Sequence, residues 1–94
     1  QAPENRSAWG VARLSLVKGE VTVQRGQSGD LIQATANMPL VEADVVTTGI
    51  ASRAEVQLDY SNFLRLNNSS SVRLANLGHR NFRIQLEHGI LTYS

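Results

Sequence analysis

The fold is decided by the stretch AEVQLDYSNFLRLNNSSSVRL, residues 54–74. Aliphatic residues separated by one other residue recur here in pairs, eight positions apart: Val56 and Leu58, Leu64 and Leu66, Val72 and Leu74. An alternation of period two places such residues on one face of a β-strand. Polar turns at 59–62 and 67–70 separate the pairs. The stretch therefore predicts three short strands, each with its aliphatic pair in the core.

The same alternation extends in both directions from this stretch. Toward the N-terminus it predicts strands over 11–17, 20–24, 31–34 and 45–48, with a hairpin loop at 25–30 and Ala12, Leu14 and Leu16 on one inner face. Toward the C-terminus, Phe82, Ile84 and Leu86 repeat the inward pattern, and Leu91 and Tyr93 close it. Pro39 lacks a backbone donor, so it fits a connection or a sheet edge.

Helical periodicity with end caps is missing throughout, so we expect little or no helix beyond a single turn around 76–81. Short strands at regular spacing are typical of sandwiches and small barrels, although a fixed repeat also fits stacked solenoid rungs. We predict an all-β fold, a single small antiparallel β-sandwich or roll of short strands, with a solenoid-like stack as the alternative. Residues 1–9 are expected to be a flexible leader and 10–94 a single domain.

Composition restricts the class of protein. The 94 residues are 41% hydrophobic and 18% charged, which suits one core and argues against a disordered tail. Nine Lys and Arg against eight Asp and Glu give a net charge of +1, which argues against a dedicated nucleic-acid binder. The absence of cysteine excludes a disulfide framework and fits a periplasmic or secreted protein, although many cytosolic domains share it.

No run approaches the ~20 apolar residues of a membrane span, so we expect the domain itself not to cross a membrane. We recognise no signal peptide. The polar opening, residues 1–5, fits either the start of a mature chain after cleavage or a boundary within a longer protein.

Residues suited to catalysis do not form a recognisable set. His79 and His88 lie beside Gly78 and Gly89, and we interpret them as exposed turn residues rather than metal ligands. No serine occupies a G-x-S-x-G context, and the carboxylates suggest no acid/base pair. We therefore predict that the chain is not an enzyme and uses no cofactor or metal. Asp44 is expected to bond to nearby backbone amides in a turn.

Outward arginines form the first candidate binding site. If Leu64, Leu66, Val72 and Leu74 point inward, then Arg65 and Arg73 point outward, and Arg83 follows by the same alternation. We predict an arginine ladder across neighbouring strands, with Gln57 and Gln85 alongside. Such a row of like charges would favour an anionic partner. The alternative is that Glu55, Glu87 or solvent neutralises it.

The last predicted strand, residues 90–93, forms the second candidate site. Leu91 and Tyr93 lie on it, and an edge strand offers unpaired backbone groups to another chain. We therefore expect β-augmentation by a partner or self-association at this edge.

Four elements occur in an order that resembles a known family. They are GVARLSLVKGEVTVQR at 10–25, LVEADVVTTG at 40–49, SRAEVQL at 52–58 and FLRL at 63–66. In this order they resemble the FecR-type domain, whose typical elements are "G-x-V-x-V", "L-x-x-G-D-x-I-x-T-G" and "S-x-A-x-L-x-L", over roughly residues 10–93. Ala43 and Tyr60 stand where that family usually has glycine. We therefore expect a different φ at Ala43, and another residue supplying a positive φ near Tyr60.

The resemblance implies a domain of the bacterial cell envelope, periplasmic or secreted. It also implies signal transduction, as in sigma-factor regulation during iron uptake, with another envelope protein such as an outer-membrane receptor or signalling domain as partner. The alternative is a carbohydrate- or peptidoglycan-binding structural module of a secreted protein. Glycan binding usually requires exposed aromatic residues, for which the candidates are Trp9, Tyr60, Phe63 and Tyr93.

Overall fold

The chain is described by a computed structural model over residues 11–59, 61–77 and 82–93. Every regular element in these ranges is a β-strand. The strands are β1 (Val11–Lys18), β2 (Val21–Gln24), β3 (Leu31–Gln33), β4 (Pro39–Val41), β5 (Val45–Thr48), β6 (Arg53–Gln57), β7 (Phe63–Leu66), β8 (Ser71–Leu77), β9 (Phe82–His88) and β10 (Leu91–Tyr93). The prediction of little or no helix is confirmed for these ranges. The leader predicted at 1–9 lies outside them, as do residues 78–81 of the turn predicted around 76–81.

Two antiparallel sheets form a sandwich. Sheet A has the strand order β10-β7-β6-β1-β4, and sheet B has the order β3-β2-β5-β8-β9. A single core lies between them. It consists of Ala12, Leu14, Val21, Val23, Ala34, Leu40, Val46, Ala54, Val56, Leu58, Leu64, Leu66, Val72, Leu74 and Leu77. The predicted sandwich is confirmed, and the solenoid-like stack is wrong because β6 and β7 form an antiparallel hairpin while β8 joins the other sheet.

The eight-residue pattern corresponds to the core. All six aliphatic residues of the three pairs are buried, at 2% exposure or less. Burial of a Val or Leu side chain stabilises a fold by about 1.5–3 kcal/mol, so these pairs supply a large part of the driving force. Their alternation holds because none of the three pairs contains an extra residue.

A β-bulge reverses the alternation in β1. Leu14 pairs with Val56 and Leu16 pairs with Glu55, so Ser15 is an extra residue in β1. Beyond it Leu16 faces outward, 40% exposed, and Val17 packs against the core instead. The prediction that Leu16 shares the inner face of Ala12 and Leu14 is therefore wrong, since one extra residue moves every later side chain to the other face.

Strand β9 follows the predicted pattern only in part. Ile84 packs against the core, but Leu86 is 46% exposed. The pairing of β8 with β9 shifts at two places, and β9 is the last strand of sheet B. Leu86 stands opposite the buried Val72 and so shares its inner face as predicted, but it is not covered there, because an edge strand has a neighbour on one side only. The side chain of Phe82 lies outside the described part.

Pro39 begins β4, which is the edge strand of sheet A beside β1. This confirms the predicted edge position. Proline is tolerated there because its missing N–H removes no bond from the interior of the sheet.

The turn between β6 and β7 is built on Asp59. Its Oδ1 accepts the backbone N–H of Ser61 at 2.8 Å and of Asn62 at 2.9 Å, and Leu58 N donates to Asn62 O at 2.8 Å. Asp59, Ser61 and Asn62 are absent from the residues of positive φ. The expected positive φ is therefore not supplied by these three neighbours of Tyr60, and Tyr60 itself lies outside the described residues.

Asp59 predicts a loss of stability in acid. The Ser61 N–H chiefly, and then Asn62, lower the pKa of Asp59 from its ordinary 3.8, against an opposing effect of burial. A lowered folded-state pKa contributes stability above the unfolded pKa, and that stability is lost as the pH falls through the folded value. We expect Asp59→Ala to cost about 1 kcal/mol near neutral pH, and the difference from wild type to shrink below about pH 4. Urea unfolding measured at several pH values checks this.

The control is Asp59→Asn, which keeps a neutral acceptor for the two amides. Its stability relative to Asp59→Ala should stay nearly constant with pH. A wild-type advantage over Asp59→Ala that persists undiminished at about pH 2.5 would contradict the account.

Candidate binding surface

Among the described residues, the most deeply buried charge belongs to Asp44, whose side chain is 0% exposed. Its Oδ2 accepts Arg25 Nη1 at 2.7 Å and Val41 N at 3.0 Å, and its Oδ1 accepts Gly26 N at 3.0 Å. The predicted bonding of Asp44 to nearby amides is confirmed. Ala43 has φ +76°, in the left-handed region that glycine favours, so the expected change of φ there is wrong. Both carboxylate oxygens are occupied within the chain, which makes this cluster structural.

A second polar cluster fixes the turns at the end of the sandwich where β5 stops. Thr48 N donates to Ser70 O at 2.8 Å, and Thr48 Oγ1 donates to Asn67 O at 2.6 Å. Ser70 N donates back to Thr48 Oγ1 at 2.9 Å, and Ile90 N donates to Ser70 Oγ at 2.9 Å. These bonds join β5 to the β7–β8 and β9–β10 turns, so Asn67 is held in a fixed place at the end of β7.

The predicted arginines are all exposed, but they do not form one ladder. Arg65 lies on β7 in sheet A, whereas Arg73 on β8 and Arg83 on β9 lie in sheet B. The chain crosses from one sheet to the other in the turn at 67–70, so the outward faces of β7 and β8 are opposite surfaces of the sandwich. The outward orientation is confirmed and the common ladder is wrong.

Two of these arginines have acidic partners. Arg65 Nε lies 3.0 Å from Glu55 Oε2, and Arg73 Nε lies 3.6 Å from Glu87 Oε2. The structure thus shows Glu55 neutralising Arg65 and Glu87 neutralising Arg73. Such exposed ion pairs contribute at most about 1 kcal/mol each. Arg83 has no ion pair within the ranges that the structure describes.

The remaining predicted residues divide between the sheets. Gln57 accepts Arg13 Nη2 at 3.0 Å on sheet A, and Gln85 stands opposite Arg73 on sheet B. Leu91 pairs with Leu66 and Tyr93 with Leu64, so both belong to β10, an edge strand of sheet A. The predicted edge position is confirmed, and its use for β-augmentation or self-association stays a prediction.

A different set of residues lines up across the outer face of sheet A, the face turned away from the core. Leu16 pairs with Glu55, Glu55 with Arg65, and Arg65 with Thr92, which makes one row over β1, β6, β7 and β10. In the neighbouring row Lys18 pairs with Arg53. The register of the β6–β7 hairpin is enough to predict the Glu55–Arg65 pair from the sequence. The positions of Leu16 and Lys18 beside it cannot be predicted, because the bulge at Ser15 reverses the alternation in β1.

This face carries a shallow groove of about 370 Å³. A second depression of about 260 Å³ adjoins it at the end of the sandwich, since Arg53 and Asn67 line both. The first is lined by Leu16, Arg53, Ala54, Glu55, Arg65, Leu66, Asn67 and Thr92. The second is lined by Ala51, Ser52, Arg53, Asn67 and Asn68.

The outer face of sheet A is basic. The charged residues in its five strands are four cations and one carboxylate: Arg13, Lys18, Arg53, Arg65 and Glu55. The carboxylate is engaged by Arg65 and lies 3.4 Å from Ser15 Oγ. Lys18 and Arg53 stand directly opposite each other, and neither has an ion pair among the described residues. Like charges at opposed positions destabilise a sheet, so this pair favours an external anion.

Other site chemistries can be placed briefly. His88 is exposed at the end of β9 opposite Ser71, and His79 lies outside the described residues. Over the ranges 11–59, 61–77 and 82–93, three or more His, Asp or Glu residues nowhere gather closely enough to hold a metal ion. The same ranges contain no helix long and apolar enough to cross a membrane.

Comparison with family models, curated proteins and solved structures finds no match to this chain. The resemblance to the FecR-type domain therefore stays a prediction.

Proposed function

We propose that this chain is a non-catalytic protein-interaction or sensing domain of a bacterial cell-envelope protein, periplasmic or secreted. The observation that carries the proposal is the outer face of sheet A, which is broad, grooved and basic and has a Lys18–Arg53 pair with no acidic partner among the described residues. A shallow groove on rigid strands suits a surface that binds another macromolecule. The partner is another envelope protein.

The structure also gives physical roles to residues that carry the family resemblance. A Cβ added to Gly19 would lie 2.5 Å from Ser52 Oγ, and that hydroxyl accepts Glu20 N at 2.8 Å. Gly49 N donates to Glu20 O at 2.8 Å. Residues of three elements of the resemblance, at 10–25, 40–49 and 52–58, thus meet in one cluster of turns. This contact is a physical reason for the three elements to occur in the same sequence. This supports treating the FecR-type resemblance as a guide to compartment.

The more specific form of the proposal is a role in transmembrane signalling, as in sigma-factor regulation during iron uptake. It predicts that the complete gene encodes a membrane helix and a small cytoplasmic segment ahead of this domain. Sequencing the flanking regions checks it. A signal peptide followed by repetitive sequence would contradict signalling and leave a secreted binding module.

Glycan or peptidoglycan binding is the alternative class. Of its four aromatic candidates, Phe63 is half-buried opposite Gln57, while Trp9 and Tyr60 lie outside the described residues, as does the Tyr93 side chain. No exposed aromatic platform is seen on the described faces, so no observation favours this alternative.

The interaction is tested by photocrosslinking in the source cells with the full-length protein. A photoreactive amino acid replaces Gln57 on the outer face of sheet A or, as matched control, Gln85 on sheet B. We expect one particular envelope protein to be crosslinked reproducibly from position 57 and not from position 85. Adducts only with cytoplasmic proteins, or equal adducts from both faces, would overturn the proposal.

A further inference from the structure

We infer that the groove on the outer face of sheet A binds an extended acidic segment of a partner protein, in which two carboxylates are two residues apart. The inference rests on the proposed function and adds the chemistry of the partner. Three observations support it: the charges of Arg53 and Arg65, the spacing of these two residues on one hairpin, and the shape of the groove that they line.

Arg53 is the cation that most needs an external partner. It is exposed, lies opposite Lys18, and forms no ion pair within the described part of the chain. It also lines both depressions, at the point where they meet. A carboxylate bound there would relieve the repulsion between the two cations and would form a charge-assisted hydrogen bond with the guanidinium.

Arg65 is already oriented for a second carboxylate. Its Nε is bonded to Glu55 Oε2, and Glu55 is in turn within reach of Ser15 Oγ. A guanidinium has five N–H donors, so the two terminal nitrogens of Arg65 retain theirs. No hydrogen bond from these terminal nitrogens to another described residue is present. Glu55 therefore acts as a positioning residue for the arginine.

The spacing of the two arginines selects the spacing of the ligand. Ala54 pairs with Leu66 and Glu55 with Arg65, so Arg53 and Arg65 are diagonal neighbours across the β6–β7 hairpin. Diagonal neighbours of this kind are about 7–8 Å apart. In an extended chain, alternate side chains point the same way and are about 7 Å apart. Acidic residues separated by one other residue therefore match the two guanidinium groups.

The shape of the groove favours a peptide over other anions. Its lining spans β1, β6, β7 and β10, from Leu16 to Thr92. Four adjacent strands cover about 14 Å, the length of four or five extended residues. A planar lipid surface does not enter a concave groove on a strand face, and a lone phosphate would fill only one end of it. An extended segment contacts both arginines together with the exposed aliphatic side of Leu16.

The test uses fluorescence anisotropy with labelled eight-residue peptides of Ser, Thr and Gly that contain Glu-Thr-Glu, Gln-Thr-Gln or an adjacent Glu-Glu. We expect Glu-Thr-Glu to bind at least about tenfold more tightly than either comparator, with affinity falling as salt is added. Arg53→Glu and Arg65→Glu should each weaken it by about tenfold or more.

The chain offers matched controls on sheet B. Arg83, like Arg53, has no ion pair in the described part, and Arg73, like Arg65, pairs with one glutamate. Arg83→Glu and Arg73→Glu should change the affinity by less than about twofold. Circular dichroism spectra that match wild type establish that each exposed-site variant is folded.

Three results would overturn the inference. They are equal losses with the sheet B variants, no preference for Glu-Thr-Glu over the other peptides, and arginine-dependent binding only to vesicles containing phosphatidylglycerol or to inorganic phosphate. Failure here is distinct from failure of the proposed function. A protein crosslinked from position 57 but lacking an acidic pair would overturn the acidic partner and leave the interaction domain standing.

Discussion

Asp44→Ala is expected to destabilise the domain by about 3–5 kcal/mol, because it removes the acceptor of two backbone N–H groups, at about 1–3 kcal/mol each, together with the ionic partner of Arg25. The carboxylate is fully buried, and it serves Arg25, Gly26 and Val41 at once. Its removal leaves the N–H groups of Gly26 and Val41 without their acceptor and takes away the ionic partner of the half-buried Arg25, whose Nη1 keeps its bond to Pro39 O at 3.1 Å. These groups come from the β2–β3 loop and from β4, so the loss loosens the contact between the two sheets. Denaturant unfolding followed by far-UV circular dichroism measures the effect.

Asp44→Asn should fail to restore this stability, although its shape is nearly the same. The carboxylate accepts on both oxygens, and an amide has only one oxygen. Whichever way the amide turns, its NH₂ group faces a donor, either Gly26 N or the pair formed by Arg25 and Val41. We expect a loss of at least about 2 kcal/mol, because a buried donor without an acceptor carries its full desolvation penalty.

Asp30→Ala is the matched control, since Asp30 is an exposed aspartate in the β2–β3 loop, whose Arg25 and Gly26 bind Asp44. Its side chain is not needed for the loop bond from Arg25 N to Asp30 O at 2.8 Å. We expect a change within about 0.5 kcal/mol. An Asp44→Ala variant that unfolds at nearly the wild-type denaturant concentration would show that the buried cluster contributes no net stability.

The sequence is enough to predict the core strands but not their distribution between sheets. Val56, Leu64 and Val72 recur at a fixed interval and all three are buried. The interval gives only the separation of the strands along the sequence and does not indicate the sheet to which each belongs. The turn at 59–62 returns the chain to the same sheet, whereas the turn at 67–70 sends it to the other. That choice depends on long-range packing, including the bonds of Thr48 to the 67–70 turn, which no local pattern encodes.

The candidate site was missed for a related reason. Glu55 and Arg65 could have been paired from the hairpin register, because both stand five positions from residue 60. Leu16 could not have been placed beside them, since Ser15 has no feature in the sequence that marks a bulge. The alternation at 53–57 indicates only which side chains point inward, so it does not single out Arg53. The surface forms only when four strands, β1, β6, β7 and β10, are set in register.

The left-handed residues illustrate a second limit. Ala43 and Gly29 both have a positive φ, yet only glycine adopts that conformation without steric cost. The bonds of Asp44 and the packing of Gly26 hold Ala43 in place. Local preference predicted a different φ at Ala43, and tertiary contacts decided otherwise.

Gly26→Ala is expected to destabilise the domain by about 2–4 kcal/mol, in the range of overpacking or beyond it. A Cβ on Gly26 would lie 2.3 Å from Ala43 Cβ and 2.6 Å from the Ala43 carbonyl carbon and oxygen. These atoms belong to the turn that presents Asp44, so they cannot move without lengthening the bond from Gly26 N to Asp44. Thermal and urea unfolding measure the loss.

Gly29→Ala separates this contact from the general effect of losing a glycine in the same loop. Gly29 has φ +78° and nothing within 4 Å of its added Cβ, so its substitution carries conformational strain alone, about 1 kcal/mol. At Gly26 the added Cβ would meet close contacts, but φ is not positive, so its substitution tests the packing alone. The double variant Gly26→Ala, Ala43→Gly should recover little, because two of the three close contacts are to backbone atoms that remain. Equal losses at Gly26 and Gly29, or full recovery in the double variant, would mean that the turn yields and that Asp44 is not anchored by this packing.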